Sequence, residues 1–338
     1  MTEVRAQAAF AGVLTADPVT TVDFPDQGTP ATGFINEGFN FTVTVDNAGT
    51  DPGYQPYLNV FVEPGVDVGG ASFLGSPVST VEYTWDATSG NWLDAGSNPI
   101  TVHPASPDIS LPPGPAIDGT TWVFVELPFS SFVPSQPPAE IVFNATIDPA
   151  QGAQLNVPVG ISAQTGFELG EDPLNNPASD PPILGPLTSS SITPTIFEVE
   201  KESYNGGDNP VGNESEQGTG PNNPITFEIQ VDLADGQTVD NILLTDVVPN
   251  NVHYLGGLTV AGSGAQVLLG TSDATIGVHN SNQLSVSFRS VTGTLGENDI
   301  IVTYQGYIPE FDANGDPILN PVTAVSYTHL TLPTILLV

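Results

Sequence analysis

Apolar residues occupy every second position in Phe39-Asn40-Phe41-Thr42-Val43-Thr44-Val45-Asp46, the period of a strand with one face buried. The same alternation predicts strands over Tyr57 to Glu63, Thr121 to Leu127, Glu140 to Ile147, Leu284 to Arg289 and Asp299 to Tyr307. Turn clusters stand between such runs, among them Asp46-Asn47-Ala48-Gly49, Asp235-Gly236 and Asn314-Gly315, whose residues tolerate the backbone angles that reverse a chain. No window of about eleven residues carries a sustained helical stripe, so helices are expected to be short or absent.

The segment Phe41-Thr-Val-Thr-Val-Asp46 recurs as Phe227-Glu-Ile-Gln-Val-Asp232, 186 residues later. In both places a turn and a second hydrophobic strand follow, ending at Pro64 and Pro249. A shared order of strand, turn, strand and proline points to duplication. The most proline-dense stretch, Gly170 to Pro194, lies between the copies and reads as a semi-rigid linker or a loop packed on the first copy. The expected organisation is all-β, with two tandem immunoglobulin-like β-sandwich domains. An N-terminal arm covers 1–20, an elaborated sandwich ending in the proline-rich stretch covers 21–190, and a second sandwich covers 191–324.

The final segment, 325–338, stands apart. Val325-Ser326-Tyr327-Thr328-His329-Leu330-Thr331-Leu332-Pro333-Thr334 resembles, residue for residue, a one-frame translation of a transposase-based sequencing adapter. Ile335 and Val338 fit the codons that follow it. The segment is therefore expected to be adapter read-through and not native sequence, and the chain to be a fragment of a longer one.

Composition narrows the function classes. The chain of 338 residues has 38 Asp+Glu against 3 Lys+Arg, a formal net charge of −35. Three bases, Arg5, Lys201 and Arg289, are too few and too scattered for a phosphate-binding patch, which excludes nucleic acid as a partner. Attachment to an anionic membrane surface fails on the same count. With 35 Gly and 33 Pro beside 39% hydrophobic residues, the chain suits many turns around real cores. There is no cysteine, hence no disulfide, thiolate metal site or cysteine nucleophile. No stretch is long enough to span a bilayer. The N-terminus lacks a basic region followed by a sustained apolar one, so no signal peptide is expected within the fragment.

Ile242-Leu-Leu-Thr-Asp246-Val-Val-Pro249-Asn-Asn-Val252-His-Tyr254 resembles the "vxVtDxlPxgvxy" segment of a tandem repeat domain of unknown function found in bacterial and archaeal surface proteins. Tyr83-Thr-Trp85-Asp86-Ala87-Thr-Ser-Gly90-Asn-Trp92 resembles that family's "yDxxtGxW" hairpin, and Phe311-Asp312-Ala-Asn314-Gly315-Asp316-Pro-Ile-Leu-Asn320 its closing hairpin. The likeness covers most of residues 35–147 and 196–324. It implies an immunoglobulin-like sandwich repeated along an exported, long surface protein, so the localisation expected from it is secreted or cell-surface. The first copy departs from the pattern through the Pro/Gly-rich insertion Asp94 to Gly119 and the missing Thr-Asp before its proline.

Catalytic motifs are absent. No Gly-x-Ser-x-Gly elbow, His-Glu-x-x-His helix or phosphate loop occurs. Of four histidines, His329 falls in the adapter-like segment, while His103, His253 and His279 sit in unrelated contexts and read as surface or strand residues. A non-enzymatic role follows, structural or adhesive, with neighbouring repeats, a glycan or a cell-surface protein as candidate partners. The alternative is a carbohydrate-binding accessory region of a secreted multidomain enzyme, with the tryptophans as a sugar-stacking platform. Against it, Trp85 and Trp92 flank one turn and Trp122 lies in a strand, positions that favour hairpin or core packing.

Two sites remain as expectations. Asp312, Asn314 and Asp316 place oxygen ligands at alternate positions, as calcium loops do, although Asn-Gly there is also a hairpin signal. Calcium is the one candidate cofactor, and Glu168, Glu171, Asp172 and Asp180 form a second acidic cluster that could hold it. In Phe197-Glu198-Val199-Glu200-Lys201-Glu202 the period of two puts the chain's single lysine on the apolar face, where an ammonium needs a partner. A family of surface sandwiches that this domain resembles in outline joins such a first-strand lysine to a last-strand asparagine through an intramolecular isopeptide bond. That resemblance makes Lys201 and Asn320 the candidate pair, with the assisting acid unassigned.

Overall fold

A computed structural model describes residues 16–174, 181–205, 225–247, 253–262, 265–266, 283–294, 298–307 and 327–331. The chain forms two compact units, Met1–Thr195 and Ile196–Val338. Each is an all-β sandwich.

In the first unit the strands are β1 (Pro18–Asp23), β2 (Thr32–Phe34), β3 (Gly38–Asn47), β4 (Gly53–Tyr54), β5 (Pro56–Val62), β6 (Val66–Phe73), β7 (Ser76–Val78) and β8 (Thr80–Asp86). They continue with β9 (Asn91–Leu93), β10 (Thr121–Glu126), β11 (Ser131–Phe132), β12 (Ala139–Ile147), β13 (Val159–Phe167), β14 (Ile183–Leu184) and β15 (Thr188–Thr195). One main sheet runs β1-β3-β12-β6-β7, the other runs β2-β15-β13-β5-β10-β8-β9 with β14 on β13, and β4 and β11 form a separate two-stranded pair. The alternation read from the sequence is the alternation of burial: Phe41, Val43, Val45, Ile141, Phe143 and Ile147 point inward from one sheet and are fully buried, as are Leu58, Val60 and Ile161 from the other. The one helical piece among the described residues is a short 3-10 turn, Pro149–Gln151.

β5 is buried on both faces. Its second face carries Tyr57, Asn59 and Phe61, and the insertion Asp94 to Gly119 covers it. Ile109 from that insertion packs with Tyr57, Trp92, Trp122 and Phe124, flanked by Ile100, Ala105 and Leu111. The insertion is thus a third layer. Trp122 donates through Nε1 to Asn59 Oδ1 at 2.9 Å, and Trp92 through Nε1 to the Pro112 carbonyl at 2.9 Å, so both indoles bury their area with their donors satisfied.

The proline-rich stretch ends in pairing and not in a linker. β15 carries a run of small hydroxyl residues, lies antiparallel to β13 and is parallel to β2. The boundary expected near residue 190 falls inside β15, because the strand's ladder holds the chain in the first unit through Thr195.

The second unit contains β16 (Phe197–Asn205), β17 (Ile225–Leu233), β18 (Thr238–Val247), β19 (His253–Ala261), β20 (Ala265–Gln266), β21 (Gln283–Thr292), β22 (Ile300–Tyr307) and β23 (Tyr327–Thr331). Its sheets run β16-β17-β22-β19 and β20-β21-β18-β23. The first of these repeats β1-β3-β12-β6 strand for strand, all antiparallel. In the facing sheets β5 lies between β10 and β13, and β18 lies between β21 and β23. The duplication seen in six residues therefore extends to the order of both sheets.

By that correspondence β23 fills the place that β13 takes in the first unit. Part of the segment read as adapter, Tyr327–Thr331, supplies an edge strand, paired from Leu243↔Thr331 to Val247↔Tyr327. The free edge of β18 offers a row of unpaired backbone groups, which an extended segment of alternating residues satisfies whatever its origin.

Candidate functional site

Lys201 on β16 lies opposite Ile229 of β17, and its side chain enters the core as its position in the alternation requires. Across the sandwich, Ile242, Leu244 and Asp246 of β18 share the inward face, and Asp246 is 1% exposed. Lys201 Nζ donates to both carboxylate oxygens of Asp246 at 2.8 Å and to the Tyr304 hydroxyl at 3.0 Å. The Tyr304 hydroxyl in turn donates to Asp246 Oδ2 at 2.7 Å. The ammonium's three donors are thus all used. Its charge also lies 5.3 Å from the centre of the Phe227 ring and 5.4 Å from that of Tyr304, within the range of cation–π attraction.

Burial lowers the Lys201 pKa, an effect opposed by the charge and hydrogen bonds of Asp246. Burial, and then the neighbouring Asp246 charge, push the Tyr304 phenol well above its usual range, so it stays neutral and donates. A buried ammonium held by a carboxylate and a phenol of other strands ties the two sheets together. Asp246 is the carboxylate that Lys201 meets across the sandwich. Its signal was there: Ile242, Leu244 and Asp246 alternate, which places a carboxylate on an apolar face.

Asn320, Asp312, Asn314 and Asp316 lie outside the described residues, as does Asp180. The rest of the second acidic cluster does not converge: Glu171 accepts from the Ala16 amide, Asp172 accepts from the Leu174 amide, and Glu168 lines a cleft. Among the described residues no group of three or more His, Asp or Glu is placed to hold a metal.

His103 is not a surface residue. It is 2% exposed, with its ring centre 5.2 Å from Tyr57, 5.3 Å from Trp122 and 5.6 Å from Phe124. Nδ1 accepts from the Ala105 amide, and desolvation lowers its pKa from 6.5 to about 4. Trp85 and Trp92 pair directly across β8 and β9, with rings 5.3 Å apart and inclined at 60°. Trp92 and Trp122 are buried, so the three indoles form core and hairpin packing, with no flat exposed platform for a sugar.

No protein-family model matches the sequence, and no curated protein matches it. Among solved structures the chain is similar to the C-terminal domain of the Streptococcus agalactiae AgI/II polypeptide BspA, at 10% identity and TM-score 0.27 over 94% of this chain and 100% of that one. It is similar also to a C-terminal fragment of the major pilin of Streptococcus agalactiae, at 10% identity and TM-score 0.30 over 93% and 91%. Two domains of the major pilin SpaD from Corynebacterium diphtheriae give 12% identity and TM-score 0.27 over 94% and 82%. Scores this low define neither a family nor a function. Among the described residues no helix is long and apolar enough to cross a membrane.

Proposed function

We propose that the chain is a structural and adhesive repeat region of a long exported surface protein, without catalysis of its own. The observation that supports this reading is the repeated strand order: two self-contained sandwiches follow each other directly in sequence, each with its own core. Domains of this kind extend a protein by copies, since each unit buries its own apolar face. Sequencing the native locus on both sides tests it. Further copies of the repeat and an export signal are the expected result, and a catalytic domain encoded in the same reading frame overturns it.

On the same reading, Lys201 and Asn320 form an intramolecular amide in the second unit. Lys201 Nζ attacks the Asn320 side-chain carbonyl, Asp246 takes the amine proton and returns it to the leaving nitrogen, and one ammonia departs. Intact-protein mass spectrometry of the native repeat is expected to fall short of the sequence mass by one ammonia, and to regain it in Lys201→Met. A mass equal to that of the sequence ends this part of the reading.

A further inference from the structure

The first unit has a cleft of about 530 Å³ where β5, β10 and the end of β13 meet the covering insertion. The strand register builds it: Tyr57 lies opposite Glu126 on one side and Gly166 on the other, and Glu168 follows two residues later. Gly166 leaves room for the phenol, since a Cβ there would sit 2.5 Å from the Tyr57 hydroxyl. Phe129 and Pro104 supply apolar wall, and Gln55 a polar rim.

Two features of the cleft are incomplete. Tyr57 is 1% exposed, yet its hydroxyl has no hydrogen-bond partner among the described residues, a state that is costly unless something fills it. Glu126 and Glu168 both line the cleft, and burial together with the charges of Glu126 and Asp108 pushes the Glu168 carboxyl up. Burial, and then Glu168, push the Tyr57 phenol up as well. Among the described residues of the first unit no lysine or arginine is present to relieve this crowding.

We propose that this cleft binds an organic cation, an ammonium or guanidinium group on an alkyl stem, with the charge between Glu126 and Glu168 and the stem against Tyr57 and Phe129. Each property of the cleft selects for it. Like charges with no lysine or arginine beside them among the described residues disfavour an anion, and a neutral sugar leaves their repulsion in place. A bare metal ion is far smaller than the cleft, and no set of three ligands is assembled for one. A neutral phenol accepts an N–H hydrogen bond, and aromatic faces attract a cation. The site goes beyond the tandem structural role and does not depend on it.

The cation can be a lysine or arginine side chain of a partner protein or a free amine, and two probes separate these sources. The purified chain is titrated by calorimetry with the pentapeptide Ala-Ala-Lys-Ala-Ala, blocked at both ends, and with pentylammonium, with sodium chloride holding the ionic strength constant. Saturable binding of one equivalent is expected. Tighter binding of the peptide assigns the site to a protein partner, and equal or tighter binding of pentylammonium assigns it to a free amine. The Glu126→Gln/Glu168→Gln variant is expected to weaken either probe at least tenfold, and Tyr57→Phe severalfold, with melting temperatures not lowered because neither change removes a partner from another group. A peptide with norleucine in place of lysine is expected not to bind. The proposal is overturned by absence of saturable binding, by affinity unchanged in the glutamine variant, or by calcium displacing the probes at matched ionic strength with greater affinity than theirs.

Discussion

Tyr304 stacks on Phe227 with ring centres 5.0 Å apart, in the register position where Phe143 stacks on Phe41 at 4.8 Å in the first unit. The two copies keep one aromatic pair at the heart of the same sheet, and the second copy adds a hydroxyl. With that hydroxyl come Lys201 and Asp246. In the first unit the corresponding β1 position, opposite Val43, is Val22, and the inward residues of β5 are Leu58, Val60 and Val62. One architecture thus carries apolar residues at these positions in one copy and a charged clasp in the other.

Breaking the clasp on one side should cost more than removing it altogether. Asp246→Ala leaves a buried ammonium uncompensated and is expected to destabilise the second unit by roughly 3–5 kcal/mol. Lys201→Met/Asp246→Leu/Tyr304→Phe rebuilds the apolar arrangement of the first unit and is expected to recover most of that loss. Denaturant unfolding followed by far-ultraviolet circular dichroism measures both. A triple variant no more stable than Asp246→Ala contradicts the account.

His103 gives the first unit an acid-sensitive term. Its folded pKa of about 4 lies below the ordinary 6.5, so between these values the unfolded chain binds a proton that the folded chain refuses. Stability attributable to His103 is therefore complete above pH 6.5 and declines as pH falls toward 4, by at most one proton or roughly 1.4 kcal/mol per pH unit. Tryptophan fluorescence reports this unit, which holds Trp85, Trp92 and Trp122. His103→Phe is expected to flatten the pH dependence over that interval; an unaltered slope assigns the acid sensitivity to other groups.

Gly114 lies directly beneath Trp85, where a Cβ would fall 2.0 Å from the indole. Gly114→Ala is expected to displace the ring, red-shift the fluorescence and cost about 1–3 kcal/mol as an overpacked site. An unchanged emission spectrum would show that the insertion does not seat the indole.

Charge supplies a further test. With a net charge of −35, self-repulsion opposes the folded state, and sodium chloride is expected to raise the melting temperature. Calcium in the millimolar range should raise it above sodium chloride of equal ionic strength if Asp312, Asn314 and Asp316 bind it, and Asp312→Ala/Asp316→Ala should remove the increment. A melting temperature equal in chelator and in calcium leaves the acidity as a solubility device.

The strands were legible because period-two alternation is local: Phe39 to Asp46 and Glu140 to Ile147 fold as their patterns require. The inward aim of Lys201 was legible for the same reason. Asp246 and Tyr304 were each visible as polar residues in apolar runs, but their meeting with Lys201 depends on which strands face across the sandwich, and alternation carries no such information. The insertion Asp94 to Gly119 has no period at all, so nothing local announced that it would cover β5 or bury His103. The cleft was illegible on the same ground, since Tyr57, Glu126 and Glu168 converge only through the pairing of β5 with β10 and β13.

The clasp also bears on force. β16 is the edge strand by which the chain enters the second unit, so tension on its leading end peels it from β17 one backbone pair at a time. Hydrogen bonds broken in that sequence resist weakly, each alone. Before any amide forms, when the peeling front reaches Lys201 the next step must draw an ammonium away from a buried carboxylate and a phenol, and the load passes from the β16-β17 ladder to the facing sheet through β18. The fifth residue of the strand is thereby expected to set the point at which a pulled repeat stops yielding.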